Sequence, residues 1–288
     1  MNPFELVTPP KLADALALLS HEESTARPMS GGTALMLMMK SGVFQPTQLI
    51  SLAQLPELQG IAINGAGELC IGAATTLRDL ERSALVQTHA PVVAQAMKKL
   101  ANVRVRNVAC IGGALAHGDP HMDLPPILSC INAELDIVSA KGSRSIAVVD
   151  LFRGYYETQL AEGEIIQTVR IPSMAGRICH YLKCTTRSAD DWPAVGICVN
   201  VQIHAHVIQD AHIVLGSALE VPTRLREVEE CLNGHLASEA LSVKAGELGA
   251  SLVTPMEDAL GSSVYKKQLV KIYLTRALQA CMVEDLNA

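Results

Sequence analysis

Cys110-Ile111-Gly112-Gly113-Ala114-Leu115-Ala116-His117-Gly118-Asp119-Pro120-His121-Met122-Asp123-Leu124-Pro125 is the most informative stretch of this 288-residue chain. It holds three glycines, two prolines, two aspartates and two histidines. Polar, breaker-rich segments inside an apolar chain usually line something. Asp123 opens an apolar run, 124–131, that reads as a helix with Pro125 in its first turn. Its carboxylate can cap that helix or accept hydrogen bonds from the hydroxyls of a ligand. His117 and His121 stand four apart, as metal ligands on a helix do, but Gly118 and Pro120 argue against a helix there, so no metal site is expected.

Working outward, Arg104 and Arg106 alternate with Val103 and Val105. In an extended chain both arginines point to one side, either towards phosphates or into solvent. Residues 108–111 read as a strand ending at Gly112-Gly113. A second glycine pair, Ser30-Gly31-Gly32-Thr33, lies between a short strand at 27–29 and a helix running to Lys40, ended by Ser41-Gly42. Such a pair lets the backbone approach a bound group, and N–H groups at the following helix start favour an anion such as a pyrophosphate. It is not a G-x-G-x-x-G fingerprint, and an ordinary tight turn reads the same way.

Elsewhere, apolar spacing predicts a helix at 11–19 and strands at 49–52, 61–63 and 69–73. The first of these segments make a small β-α-β unit. Thr76 is a good N-cap for a helix at 77–85, with Asp79 in capping-box position. Pro91 opens a helix that runs over 92–100. Strands follow at 134–139, 145–149 and 164–171. A proline- and glycine-containing stretch, 172–176, reads as a boundary. Beyond it come strands at 178–184, 195–205 and 207–217, the last two joined around Gln209-Asp210, then helices at 223–232, 238–248 and 264–282. Strands followed by helices indicate an α+β arrangement.

Composition narrows the function. Apolar residues make up 49% and charged residues 18%, a globular balance. Aromatics are only 3% and the net charge is -6, which argues against nucleic-acid binding, where stacking platforms and a basic face are needed. The N-terminus carries no cationic stretch followed by an apolar run, and the most apolar short segment, 35–39, is too short to span a bilayer; neither a signal peptide nor a membrane span is expected. The eight cysteines are scattered singly, which points to reduced thiols in a cytoplasmic protein rather than disulfides, zinc or an iron–sulfur cluster. His204 and His206 share a strand face with His212 on the next strand, and read as a surface or interface. No G-x-x-x-x-G-K-[ST], HExxH or G-x-S-x-G motif is present.

The two glycine loops, with their flanks, resemble the FAD-binding medium subunit of the molybdenum hydroxylases, the group containing xanthine dehydrogenase and aerobic carbon monoxide dehydrogenase. The shared features are Ser30-Gly31-Gly32-Thr33-Ala34-Leu35, Ile71-Gly72-Ala73-Ala74-Thr75-Thr76-Leu77, and Val105-Arg106-Asn107-Val108-Ala109-Cys110-Ile111-Gly112-Gly113. They continue through Asp119-Pro120, Asp123-Leu124-Pro125, Tyr155-Tyr156-Glu157-Thr158 and Glu164-Ile165-Ile166, then Lys183, Arg187, Asp190 and Asp191, to Tyr265 and Arg276-Ala277. Each motif is weak alone; their order along nearly the whole chain is specific.

The resemblance implies an α+β chain. A p-cresol-methylhydroxylase-type FAD-binding domain would occupy 1–173, in subdomains of about 1–58 and 59–173. A three-stranded sheet with a helical bundle would occupy 174–288. The family's first FAD loop falls on Pro28, Met29, Ser30, Gly31, Gly32, Thr33, Ala34 and Leu35, and its second on Cys110, Ile111, Gly112, Gly113 and Ala114. Leu100 and Ile166 fall on apolar positions flanking the flavin, Asp123 on an FAD-binding aspartate and Lys183 on a lysine at the flavin. Backbone N–H groups of both loops would bind the pyrophosphate. Molybdopterin and two [2Fe-2S] clusters would reside in large and small partner subunits, in a dimer of heterotrimers, and this chain would relay electrons from the clusters to an external acceptor. No catalytic residue for the organic substrate and no metal are expected here. Cys110, Ala114 and Ala34 stand where the family favours polar side chains, so three hydrogen bonds of about 0.5–1.5 kcal/mol each are expected to be missing. The alternative is an assembly subunit that has lost FAD. No cysteine-bearing insertion of the benzoyl-CoA-reducing branch is present, so no extra cluster is expected.

Overall fold

The computed structural model describes residues 2–20 and 25–287. Strands β1 (Glu5–Val7), β2 (Ala26–Met29) and β3 (Gln48–Ser51) form a parallel sheet in the order β1-β3-β2. Parallel pairing needs crossovers, and helices α1 (Leu12–Leu19) and α2 (Leu35–Lys40) lie in them. Leu12, Ala15 and Leu19 of α1 are buried on one face, as the 3.6-residue period requires. β1 is too short to carry a legible pattern and emerges only from the structure.

The second sheet is antiparallel. Strands β4 (Ile61–Ile63) and β5 (Leu69–Gly72) are followed by helices α3 (Leu77–Arg82), α4 (Ala84–His89), α5 (Pro91–Met97), α6 (Val103–Arg106), α7 (Ile111–Ala116) and α8 (Leu124–Cys130). Strands β6 (Glu134–Ser139) and β7 (Gly142–Ala147), the small hairpin β8 (Phe152–Gly154) with β9 (Glu157–Thr158), and β10 (Ile165–Ile171) come next. The sheet order is β4-β5-β10-β6-β7.

The third sheet is a meander of β11 (Ile178–Cys184), β12 (Val195–His204), β13 (Val207–Gly216) and a two-residue β14 (Thr223–Arg224). The expected three strands are thus joined by a minimal fourth, taken from the start of the expected 223–232 helix. Helices α9 (Arg226–Leu232), α10 (Glu239–Leu252) and α11 (Ser263–Asn287) pack on it.

β12 is buried from Val195 to Val201 without alternation. Val195, Ile197, Val199 and Val201 join the core under α10 and α11, whereas Cys198 joins the core of the second sheet. Helix α8, buried along its whole length, covers that other side: Asn200 Nδ2 donates to the Cys130 carbonyl at 3.1 Å. A strand covered on both faces reads as a continuous apolar run.

Several expectations are corrected. Residues 103–111 are not extended. Asn102 Oδ1 accepts the N–H groups of Arg104 and Val105 at 3.0 and 3.1 Å and starts α6, and Cys110 keeps only an isolated bridge to Thr76 before α7 begins. The expected 77–85 helix breaks at Ser83, whose hydroxyl accepts from Val86 N–H and restarts the chain as α4. Thr76 caps α3 as expected, at 3.1 Å from Asp79 N–H. The β12–β13 turn lies at Ala205-His206, not at Gln209-Asp210; both residues have positive φ, as the tightest hairpin turns require. His206 therefore leaves the strand face and pairs with Asp285 at 3.1 Å.

Candidate cofactor site

The first glycine loop leaves the end of parallel strand β2, where Pro28 and Met29 lie, and turns into α2 through Ala34 and Leu35. Gly32 has φ +66°, and a Cβ on Gly31 would lie 1.9 Å from the Val108 carbonyl oxygen. Only glycine permits that approach, which sets the loop directly against the residues preceding Cys110. The N–H groups of Gly31, Gly32, Thr33 and Ala34 have no acceptor among the described residues. Adjacent unpaired donors of this kind form a concave anion receptor.

The second loop behaves differently. Ile111 N–H donates to the Thr75 carbonyl at 3.1 Å and Gly112 N–H to the Ala73 carbonyl at 2.9 Å, while Ala114 N–H returns to Cys110 at 3.0 Å. Ile111, Gly112 and Ala114 of the second loop thus have backbone acceptors within the chain, while Cys110 N–H has none among the described residues. Cys110 is the N-cap of α7, its Sγ accepting Gly113 N–H at 3.4 Å. Gly112 sits in a helix, against its propensity, because a Cβ there would lie 2.5 Å from the Ala73 Cβ.

Asp123 stands at the N-cap position of α8, yet its side chain makes no capping bond. Its carboxylate turns to β11, accepting from Tyr181 OH at 2.6 Å and from Lys183 Nζ at 3.0 Å. Lys183 also donates to the Asp191 carbonyl at 3.1 Å. Burial pushes the Asp123 carboxyl above the usual range, and Lys183 and Tyr181 pull it part of the way back. Burial and the neighbouring carboxylate push the Tyr181 hydroxyl well above its ordinary value. Tyr181 was not singled out by sequence. The signal was there, since it stands two residues from Lys183 and so on the same strand face.

Leu100 and Ile166 are both buried in the core that also holds Met97 and Ile111. Ile166 sits at a bulge in β10. The turn after Leu100 places Ala101 at φ +48°. Arg106 holds that turn: Nη1 donates to the Leu100 carbonyl at 3.1 Å and to that of Ala101, and Nε to Glu81 at 3.0 Å. Arg106 is buried and structural while Arg104 is exposed, so the two do not share a side. Ala101 N–H reaches across to the Asp190 carbonyl at 3.2 Å. Next to this bridge lies a cleft of about 280 Å³, lined by Ala101 and Asn102 on one side and by Thr186, Arg187, Asp190, Asp191, Trp192 and Leu260 on the other. The unpaired donors of the first loop, the glycine contacts that seat it and the buried Asp123–Lys183 pair suit a phosphate- and hydroxyl-bearing cofactor.

The comparisons agree with this arrangement. Residues 2–174 match the family described as FAD binding domain in molybdopterin dehydrogenase, and residues 180–281 match the CO dehydrogenase flavoprotein C-terminal domain. The glyceraldehyde dehydrogenase medium chain of Sulfolobus acidocaldarius is 30% identical over 96% of this chain and 97% of its own. The carbon monoxide dehydrogenase medium chain of Hydrogenophaga pseudoflava is 31% identical over 96% of each. A solved carbon monoxide dehydrogenase from Hydrogenophaga pseudoflava superposes with a TM-score of 0.94 at 32% identity, covering 98% of both chains. Quinoline 2-oxidoreductase from Pseudomonas putida superposes with a TM-score of 0.93 at 25% identity, covering 98% of both. The chain belongs to the family of FAD-binding medium subunits of molybdopterin-dependent dehydrogenases. It is an α+β flavoprotein component of an oxidoreductase, with FAD as its cofactor.

Proposed function

We propose that this chain is the electron-transfer component of a molybdopterin-dependent hydroxylase or dehydrogenase, taking electrons from [2Fe-2S] clusters of a partner subunit and passing them to an external acceptor. The observation that carries this reading is the pairing of four unpaired N–H groups at 31–34 with a buried Asp123–Lys183 couple beside a cleft. FAD, when bound, supplies the chemistry that joins one-electron donors to a one- or two-electron acceptor.

The loop from Pro28 to Leu35 would hold the pyrophosphate through its free N–H groups. Cys110 to Ala114 would wall that site, with Cys110 keeping α7 in place rather than donating to phosphate. Asp123 would accept hydrogen bonds from ribityl or ribose hydroxyls. Lys183 would bring positive charge to the ring, and Leu100 and Ile166 would exclude water from it. The division near residue 173 would separate the FAD-binding part from the C-terminal flavoprotein part.

The medium-chain names of the relatives support a complex with a large molybdopterin subunit and a small iron–sulfur subunit, which we place in the cytoplasm as a dimer of heterotrimers. Eight free thiols fit a reducing compartment. Among the described residues no helix is long and apolar enough to cross a membrane.

The test is to co-purify the chain with its genomic neighbours and measure flavin absorbance, molybdenum and iron. The expected result is one FAD per chain, bleached when substrate is added to the complex and recoloured by acceptor. A complex without flavin would overturn the reading and favour an assembly role.

A further inference from the structure

The segment between the second glycine loop and Asp123 folds back on a group of charges whose members are far apart in sequence. His121 Nδ1 lies 3.1 Å from Asp119 Oδ1, and His121 Nε2 lies 3.2 Å from Asp258 Oδ2, a residue 137 positions away. Asp119 also accepts the backbone N–H of His121 at 2.9 Å and the hydroxyl of Tyr156 at 3.3 Å. Asp258 also accepts Leu260 N–H at 2.8 Å and the ammonium of Lys266, which is fully buried. Apart from the two contacts with the His121 ring, every bond to these carboxylates is a donated one, so both are placed as ionised acceptors. A neutral imidazole has one donor nitrogen and one lone pair; only the imidazolium has two donors. Among the described residues Lys266 is the other cation paired with these carboxylates, so a charged His121 balances two carboxylates against two cations. Burial alone would push the His121 proton affinity down, yet the hydrogen bonds and charges of Asp119 and Asp258 outweigh it and raise its pKa above 6.5.

One ring neighbour of His121, Trp192, belongs to the cleft. Trp192 lies near-parallel to its ring with centroids 6.1 Å apart, and Tyr155 meets it edge-on at 6.3 Å. Trp192 and Leu260, the latter on the turn tied to Asp258, both line the cleft beside Ala101. Three further titratable groups face the cluster: the Tyr155 and Tyr156 hydroxyls, which burial and Asp119 push up, that of Tyr156 to about 12, and His117, which lies 4.0 Å from Asp119, packs on Tyr156 and is pushed below its ordinary value by burial.

We propose that His121 is a positioning residue, kept as an imidazolium that ties the 117–123 segment to the Asp258 turn and seats Trp192 and Leu260 at the mouth of the cleft. Loss of its proton leaves one carboxylate facing a lone pair and releases that side. The ionic tie stands on the geometry alone and does not depend on the function proposed above.

Trp192 is the only tryptophan, so its emission reports this one contact. A cation is attracted to the indole face, and a protonated imidazole quenches an excited indole by accepting an electron. Emission of the full-length chain is recorded from acid to alkaline pH, with flavin content followed separately by absorbance. The expected result is low emission in acid and a rise whose midpoint lies above about 6.5. The step should vanish in His121→Gln, persist in His117→Asn, and move to lower pH in Asp258→Asn. A wild-type midpoint at or below about 6.5, a step surviving His121→Gln, or an unmoved midpoint in Asp258→Asn would overturn the proposal. If His121→Gln does not fold, the wild-type and Asp258→Asn midpoints decide. A chain that proves to lack flavin would leave this titration in place, so the two readings fail separately.

Discussion

Asp123 illustrates how one side chain can look like a cap and serve elsewhere. It occupies the cap position of α8, but its oxygens hold Tyr181 and Lys183, and the side chains of the ion pair are each 7% exposed. Breaking a buried pair from one side costs about 3–5 kcal/mol, because the surviving charge is left without its partner. Asp123→Asn should therefore melt well below the parent and lose flavin absorbance, and adding Lys183→Met should restore part of the melting temperature without the flavin. A single variant that melts like the parent would mean that the pair contributes nothing to stability. Gly31 is a second test at this scale. An alanine there must push the Val108 carbonyl away, at about 1–3 kcal/mol by the usual range for overpacking. Flavin content of Gly31→Ala should drop more than its melting temperature does, since the displaced element is the loop itself.

At the scale of elements, the long strands of the third sheet were legible because both-face burial leaves mostly apolar runs such as Val195 to Val201, broken only by Asn200. The 103–111 segment was not. Val-Arg-Val-Arg alternates with the period of a strand, and what makes it helical is the Asn102 cap together with the burial of Arg106 against Glu81 and two carbonyls. Those partners lie up to 25 residues away. The Asp123–Lys183 contact joins two residues already marked as site candidates, whereas the His121–Asp258 contact has no local trace in either segment. Arg106→Lys tests the element. A lysine keeps the charge but cannot reach Glu81 and the Leu100–Ala101 turn together. Losing charge-assisted bonds of this type costs about 1.5–3 kcal/mol. The Ala101 turn, with its positive φ, should become the first site of amide exchange, and unchanged protection there would argue that the turn holds itself.

For the whole molecule, pH acts on stability from two directions. The folded-state pKa of His121 lies above its ordinary 6.5, so its contribution is complete below 6.5 and disappears as pH rises through the raised value. His117 and His212 are held below 6.5 mainly by burial, so stability they permit is lost as pH falls below 6.5. Asp119 and Asp258 extend that loss below 3.8: burial raises them, but their hydrogen bonds and cationic partners outweigh it and lower them. The melting temperature should pass through a maximum, and the gap between parent and His121→Gln should narrow as pH rises above 6.5. A gap that widens on the alkaline side would reverse the sign and exclude a charged His121.

The stretch after β10 has its own consequence. Ser173, Ala175 and Gly176 are exposed, Gly176 with φ +72°, so a protease can reach this connection. Yet α8, from before the connection, is buried against β12 and β13, from after it. A chain nicked here should not come apart. The two fragments should co-elute as a non-covalent pair, and two separately expressed halves should find each other, which makes this exposed turn a natural place to split the protein for complementation.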